Sequence, residues 1–159
     1  EIYQTDINLS MIKEGQKKLI DNGILMPSIV CDAEALPFPS NYFDCVTISF
    51  GLRNMTKKDS ALKEIYRTLA PGGKILILEF SEIYKPLRKL YDLYSFKLVP
   101  KLGKIFAKDE ESYKYLVESI RMHPNQEQLL DLMKDYGYEK TSFMNLSAGI
   151  VAIHKGFKF

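Results

Sequence analysis

Cysteine is scarce, neither sign of charge dominates, and no long apolar run occurs. The 159 residues include only Cys31 and Cys45. Both fall in short apolar runs that read as strands, with no disulfide spacing and no Cys/His cluster at metal-ligand spacing. That predicts two free core thiols in a reducing compartment, such as a bacterial cytoplasm or an organelle matrix, and no bound metal. Lys and Arg number 22 against 20 Asp and Glu, a formal net charge of +2. So even a balance argues against nucleic-acid binding through a general positive field, and any basic patch must be local. No apolar stretch approaches the ~20 residues of a membrane span. No secretory leader, internal repeat or low-complexity tract is visible.

What is present is alternation. Glu1–Asp6 reads as a short strand ending in an acid. From Ser10 to about Asn22 a helical pattern brings Met11, Ile12, Gly15, Leu19 and Ile20 near one face, and Asn22-Gly23 supplies a stop. Pro27–Cys31 is a short apolar strand, followed by a loop that Pro37 and Pro39 keep irregular. Phe43–Ser49 is β-branched and apolar enough for a strand covered on both faces. Lys57–Leu69 is an amphipathic helix with Ala61, Leu62, Ile65, Tyr66 and Leu69 at helical spacing. Pro71-Gly72-Gly73 marks a turn before the most hydrophobic strand, Lys74–Phe80. Residues 84–136 turn helical. Glu139–Leu146 and Ile150–Lys155, separated by only Ser147-Ala148-Gly149, must pair antiparallel. The fold class is therefore α/β: a Rossmann-like, mostly parallel sheet closed by a C-terminal antiparallel hairpin, in a single domain over 1–159.

Three strand ends carry residues suited to a nucleotide. Asp6 can accept hydrogen bonds from the two vicinal hydroxyls of a ribose, or can simply favour the positive end of the helix that follows. Asp32 can accept from an adenine amino group while a backbone N–H at Ala33 donates to a ring nitrogen. Ser49-Phe50-Gly51 ends the third strand. Ligands of open α/β sheets sit beyond the carboxyl ends of the strands, and all three positions lie there.

At this point the sequence resembles the ubiquinone/menaquinone biosynthesis C-methyltransferases, within the class I S-adenosylmethionine-dependent enzymes. The resemblance rests on Asp6-Ile7-Asn8 with Ser10-Met11, on Ala33-Glu34-Ala35-Leu36-Pro37-Phe38-Pro39, and on Phe43-Asp44 running to Ile48-Ser49-Phe50-Gly51-Leu52-Arg53-Asn54. It continues through Tyr66-Arg67, Leu69-Ala70-Pro71-Gly72-Gly73 and Leu78-Glu79-Phe80-Ser81. Glu118-Ser119-Ile120-Arg121-Met122-His123-Pro124, Asn145-Leu146 and the Gly-Phe-Lys-Phe end at 156–159 complete it. Pro-Gly-Gly is shared by many methyltransferases, whereas Ser-Phe-Gly-Leu-Arg-Asn and Ser-Ile-Arg-Met-His-Pro are narrower. The resemblance implies S-adenosylmethionine as cofactor, with Asp6 and its neighbour Ile7 at the ribose, Asp32 and Ala33 at the adenine, and Ser49 beside the methionine moiety. The family often has Asn at position 32, and both side chains accept from the adenine amino group.

Family members open with a strand and a Gly-rich loop around the methionine end of the cofactor, and the nine glycines here form no such loop. The resemblance thus implies a sheet lacking its first central strand, between the strands ending at Asp6 and Ser49. Two edges would face an empty slot, each buried orphan group costing roughly 1–3 kcal/mol. The expectation is that these 159 residues alone neither fold as a stable monomer nor bind cofactor well.

For the acceptor the resemblance implies a polyprenylated benzoquinol or demethylmenaquinol. Rival readings are a methyltransferase for another small molecule and a non-catalytic remnant or scaffold. Arg53, just beyond a strand end, can stabilise a phenolate, or can pair with a nearby acid. Asn54 can orient the same oxygen. His123 can serve as general base or as a turn residue before Pro124; His154 reads as structural. Between Tyr84 and Lys108 stand seven basic residues and one acid, Asp92, interleaved with Leu87, Leu90, Tyr91, Tyr94 and Leu98 at helical spacing. This is either a covering helix with a solvated basic face or an acceptor lid that lies on an anionic membrane. Residues 84–136 would then form a helical acceptor-side insertion. The expected setting is cytoplasmic, peripheral at the inner membrane or on the matrix side of a mitochondrion, as a homodimer or within a quinone-biosynthesis complex.

Overall fold

The computed structural model describes residues 1–84, 86 and 110–159. The basic stretch and the aromatic and leucine residues interleaved with it therefore lie almost wholly outside the described residues. The strands are β1 (Gln4–Asp6), β2 (Ser28–Val30), β3 (Phe43–Ser49), β4 (Leu69–Phe80), β5 (Glu139–Leu146) and β6 (Val151–Phe157). The helices are α1 (Leu9–Asp21), α2 (Lys58–Thr68), α3 (Glu110–Met122) and α4 (Gln126–Asp135), with a 3-10 turn over Leu52–Asn54.

These strands form two sheets. β1 and β2 pair in parallel through Gln4–Ser28, Thr5–Ile29 and Asp6–Val30. The second sheet has the order β3-β4-β6-β5. There β3 runs parallel to β4, while β6 is antiparallel to both β4 and β5. The expected α/β fold with a closing antiparallel hairpin is present, and β1 and β3 belong to separate sheets.

The core belongs to the second sheet. Ile75 and Ile77 of β4 meet Leu62 and Ile65 of α2 and Leu129 and Met133 of α4, all sealed from solvent or nearly so. Pro71-Gly72-Gly73 lies inside β4 as an outward excursion: Phe43 pairs with Leu69, but Cys45 pairs with Lys74. Gly72 adopts φ +84°, and a Cβ on Gly73 would sit 2.8 Å from the Ala70 carbonyl oxygen, so the excursion requires glycine. The carboxyl end of the chain ties it down. Gly72 N–H donates to Lys158 O and Lys158 N–H to Gly73 O. The Lys158 ammonium donates to the carbonyls of Tyr66 and Leu69, both at 2.8 Å, where the end of α2 favours a cation.

The first sheet is thinly covered. Asn8 caps α1 by accepting from Ser10 N–H at 2.8 Å. Of the expected apolar face, Ile12 is buried and Leu19 partly so, while Met11 and Ile20 remain more than half exposed. Two further expectations need correction. Cys31 and Cys45 are free, but Cys31 is only half-buried and Cys45 is exposed, so they are not core thiols. Likewise β3 is not covered on both faces: Asp44, Cys45, Thr47 and Ser49 are exposed. The cause is the separation of the sheets, which leaves β3 an edge strand.

The difference in cover sets a difference in local stability, since few buried apolar contacts mean cheap local opening. Amides of Gln4–Asp6 and Ser28–Val30 in the 159-residue chain should exchange hydrogen at least a hundredfold faster than those of Ile75 and Ile77. Equal protection, measured by exchange mass spectrometry, would contradict this reading of the two sheets.

Candidate functional site

The carboxyl ends of β1, β2 and β3 open onto one cavity of about 600 Å³. Asp6 and Ile7 from the end of β1, Asp32 and Ala33 from beyond β2, and Ser49, the last residue of β3, all line it. Asn54 joins them from the 3-10 turn. All the residues that the sequence assigned to the cofactor are thus brought to one place. The two carboxylates are pre-oriented by their own turns. Asp6 Oδ1 accepts from Asn8 N–H at 2.8 Å, and Asp32 Oδ1 accepts from Glu34 N–H at 2.9 Å. Each has a second oxygen to accept from the hydroxyls or amino group of a nucleoside, so these acceptors fit S-adenosylmethionine.

The wall carrying Asp32 and Ala33 is held by α2, for reasons hidden in the sequence. Arg67 donates to the carbonyls of Leu36 and Phe38 at 3.1 and 2.9 Å and pairs with Glu64 at 2.9 Å. Glu64 in turn accepts from Leu36 N–H, and Glu34 accepts from Lys57 N–H at 2.7 Å. The prolines at 37 and 39 cannot donate backbone hydrogen bonds, so the guanidinium supplies the fastening the loop lacks.

On the other side of Asn54 the chain turns sharply. Phe50 adopts φ +54°, a left-handed conformation that strains a non-glycine residue. Its N–H donates to Leu78 O at 2.8 Å, which keeps it beside β4. Two residues past Gly51, the Arg53 guanidinium meets the carboxylate of Glu79, Nη1 to Oε1 at 2.9 Å. It also donates to Phe50 O and lies 5.2 Å from the centre of the Phe80 ring and 6.0 Å from that of Phe50. Asn54 Oδ1 accepts from the Tyr115 hydroxyl of α3 at 3.2 Å. Arg53 and His123 do not line the cavity. Arg53 is adjacent to it in the chain, and His123 is buried at the end of α3.

Five buried side-chain atoms have no hydrogen-bond partner among the described residues. They are Arg53 Nε, Ser81 Oγ, both ring nitrogens of His123, and His154 Nδ1. Buried polar atoms are normally satisfied, and none of these five belongs to a residue that lines the cavity. His154 is anchored through Nε2, 3.1 Å from Gln126 O, in keeping with its structural reading. His123 is held well below the usual imidazole range, at about 4, first by burial and then by the charge of Lys58, by His154 and by Arg53. Glu79, Arg67 and Tyr115 were not foreseen as site residues. The one available signal was an acid, Glu79, inside the most apolar strand.

A sequence model described as the ubiE/COQ5 methyltransferase family matches residues 1–158. The chain is 58% identical over its whole length to the ubiquinone/menaquinone biosynthesis C-methyltransferase UbiE of Neisseria meningitidis serogroup A. It is 57% identical to the protein of that name from Nitrosospira multiformis. It spans 65% of the length of each. Among solved structures, the [4+2]-cyclase SpnF superposes with a TM-score of 0.73 at 17% identity, covering 99% of this chain and 66% of that one. A SAM-dependent methyltransferase from Thermotoga maritima, a possible histamine N-methyltransferase, gives 0.66 at 20% identity, covering 99% and 72%. At these identities the structures establish the fold, which is that of the Rossmann-like methyltransferases.

Burial of neutral His123 makes stability depend on pH. Between its unfolded value of 6.5 and its folded value of about 4, the unfolded chain binds the extra proton. Stability therefore falls as pH drops through that window, by up to about 3 kcal/mol at 1.36 kcal/mol per unit. Burial lowers His154 too and acts in the same direction. Urea midpoints at pH 7 and pH 5 should differ in the natural protein, and His123→Leu should flatten the difference. An unchanged slope in that variant would contradict the assignment.

Proposed function

Because the chain belongs to the ubiE/COQ5 methyltransferase family, we propose that it carries out S-adenosylmethionine-dependent C-methylation of a polyprenylated benzoquinol or a demethylmenaquinol. The observation that carries this reading is the meeting, around one cavity, of Asp6, Asp32 and Ser49 with Asn54, next in the chain to the clamped guanidinium of Arg53. The names of the curated relatives support the quinone branch.

When bound, S-adenosylmethionine offers a methyl on a cationic sulfur; a ring carbon bonds to it as the sulfur–carbon bond breaks, and the ring C–H proton leaves. The residues' part is to place and polarise the partners. Asp6 accepts from the ribose hydroxyls and Asp32 from the adenine amino group, fixing the nucleoside against the strand ends. The Arg53 guanidinium stabilises the oxygen of an acceptor hydroxyl as it loses its proton, which enriches the ring carbon. Asn54, held by Tyr115, orients that oxygen. The His123 imidazole is neutral near pH 7 but buried outside the cavity and held down to about 4, so no proton transfer is assigned to it.

No helix among the described residues is long and apolar enough to cross a membrane. A lipid-tailed acceptor nonetheless requires access to a bilayer. The basic, leucine- and tyrosine-bearing stretch at 84–108 is the proposed contact with an anionic surface, peripheral on the cytoplasmic side.

In the full-length protein, calorimetry should give saturable S-adenosylmethionine binding, and Asp6→Ala should weaken it about 10- to 100-fold, the range for a hydrogen bond to a charged acceptor. Mass spectrometry should find one methyl added to demethylmenaquinol or its benzoquinol counterpart. Binding without transfer to either would favour another small-molecule acceptor. No binding at all would favour a non-catalytic role.

A further inference from the structure

We infer that Glu79 is a positioning residue for methyl transfer, one that fixes the Arg53 guanidinium beside the cavity and leaves only its Nε–Nη2 edge to meet an acceptor oxygen. The inference rests on the reading of Arg53 as the group that stabilises the acceptor phenolate.

Glu79 is fully buried at the end of the most apolar strand. Such a carboxylate needs a strong compensating interaction, because an unpaired buried charge is costly. Its two oxygens are spoken for. Oε2 accepts from the backbone N–H of Arg53 at 3.2 Å, and Oε1 accepts from Phe80 N–H and from Arg53 Nη1, both at 2.9 Å. One carboxylate therefore grips the main chain and the side chain of the same arginine. The Phe50 and Phe80 rings lie against the guanidinium, and the Phe50 carbonyl takes the second Nη1 hydrogen bond.

What remains is the edge formed by Nε and Nη2. Nε is buried without a partner, and Nη2 donates no hydrogen bond among the described residues. That edge is the two-donor fork with which arginine binds an oxygen anion. A guanidinium free to rotate would present it in many orientations; held as it is, it presents it in one. The pairing also offsets the arginine charge locally. The other titratable groups that act on His123 are Lys58 of α2, His154 of β6 and Arg53 itself.

Charge and reach separate this role from a structural one. In the full-length protein, Glu79→Gln leaves the arginine charge uncompensated and should move the acidic limb of the kcat–pH profile with a quinol acceptor to lower pH. Glu79→Asp keeps the charge but draws the guanidinium back, and should move the same limb to higher pH. The aspartate variant should lose tenfold or more in kcat, with the KM for S-adenosylmethionine within twofold of the natural protein. In nitrogen-15 spectra the Arg53 Nε–H signal should be sharp in the natural protein and broadened in the aspartate variant. If the glutamine variant fails to fold, the aspartate variant decides alone. A sharp Nε–H signal and an unmoved limb in the variant, with transfer intact in the natural protein, overturns the inference. A natural protein that methylates no quinol overturns the functional reading and this inference with it.

Discussion

Glu79 follows Ile75 and Ile77 at alternate positions of β4, and all three are completely buried. That alternation is the constraint on which the rest of the second sheet depends. Residues two apart on a strand share a face, so the face that packs the core against α2 and α4 delivers a carboxylate at its end. The core fixes β4, β4 fixes Glu79, and Glu79 fixes both the backbone and the side chain of Arg53. The 3-10 turn, with Asn54 on the cavity, hangs from the same pair. Packing and chemistry are parts of one chain of contacts.

The first sheet obeys a different balance. Its strands are three residues long, and Ile2, Ile7, Leu25 and Val30 remain open to solvent. Tyr3 bridges toward β3 through edge-on contacts with Phe38 and Phe43 at 5.5 and 5.9 Å between ring centres. That aromatic contact lies at the amino ends of the strands. The opposite, carboxyl ends bear the nucleoside-binding residues, so half of the proposed cofactor site stands on the less stable part of the molecule.

Much of this was legible in the sequence, and unevenly so. Phe43–Ser49 declared itself through β-branched residues, and the hairpin through the shortness of its connection. Asp6, Asp32 and Ser49 could be placed together because parallel strands bring their carboxyl ends to one side. Pairing partners at long range were not legible. Arg53 had two open readings, phenolate stabiliser and ion-pair member; the structure shows the ion pair, and the edge it leaves free suits the other role as well. Arg67 read as a motif residue, yet its hydrogen bonds reach about 30 positions back to a loop that proline had stripped of donors. The cover of β3 was misjudged because composition reports what a strand could bury, while topology decides what lies against it.

The most direct measurement is a crystal structure of the full-length protein with S-adenosylhomocysteine and a quinol head group. An acceptor oxygen should lie within hydrogen-bonding distance of Arg53 Nε or Nη2, with the Arg53–Glu79 pair intact and the nucleoside on Asp6 and Asp32. An acceptor ring bound away from that edge, with Arg53 joined to Glu79 alone, would contradict this.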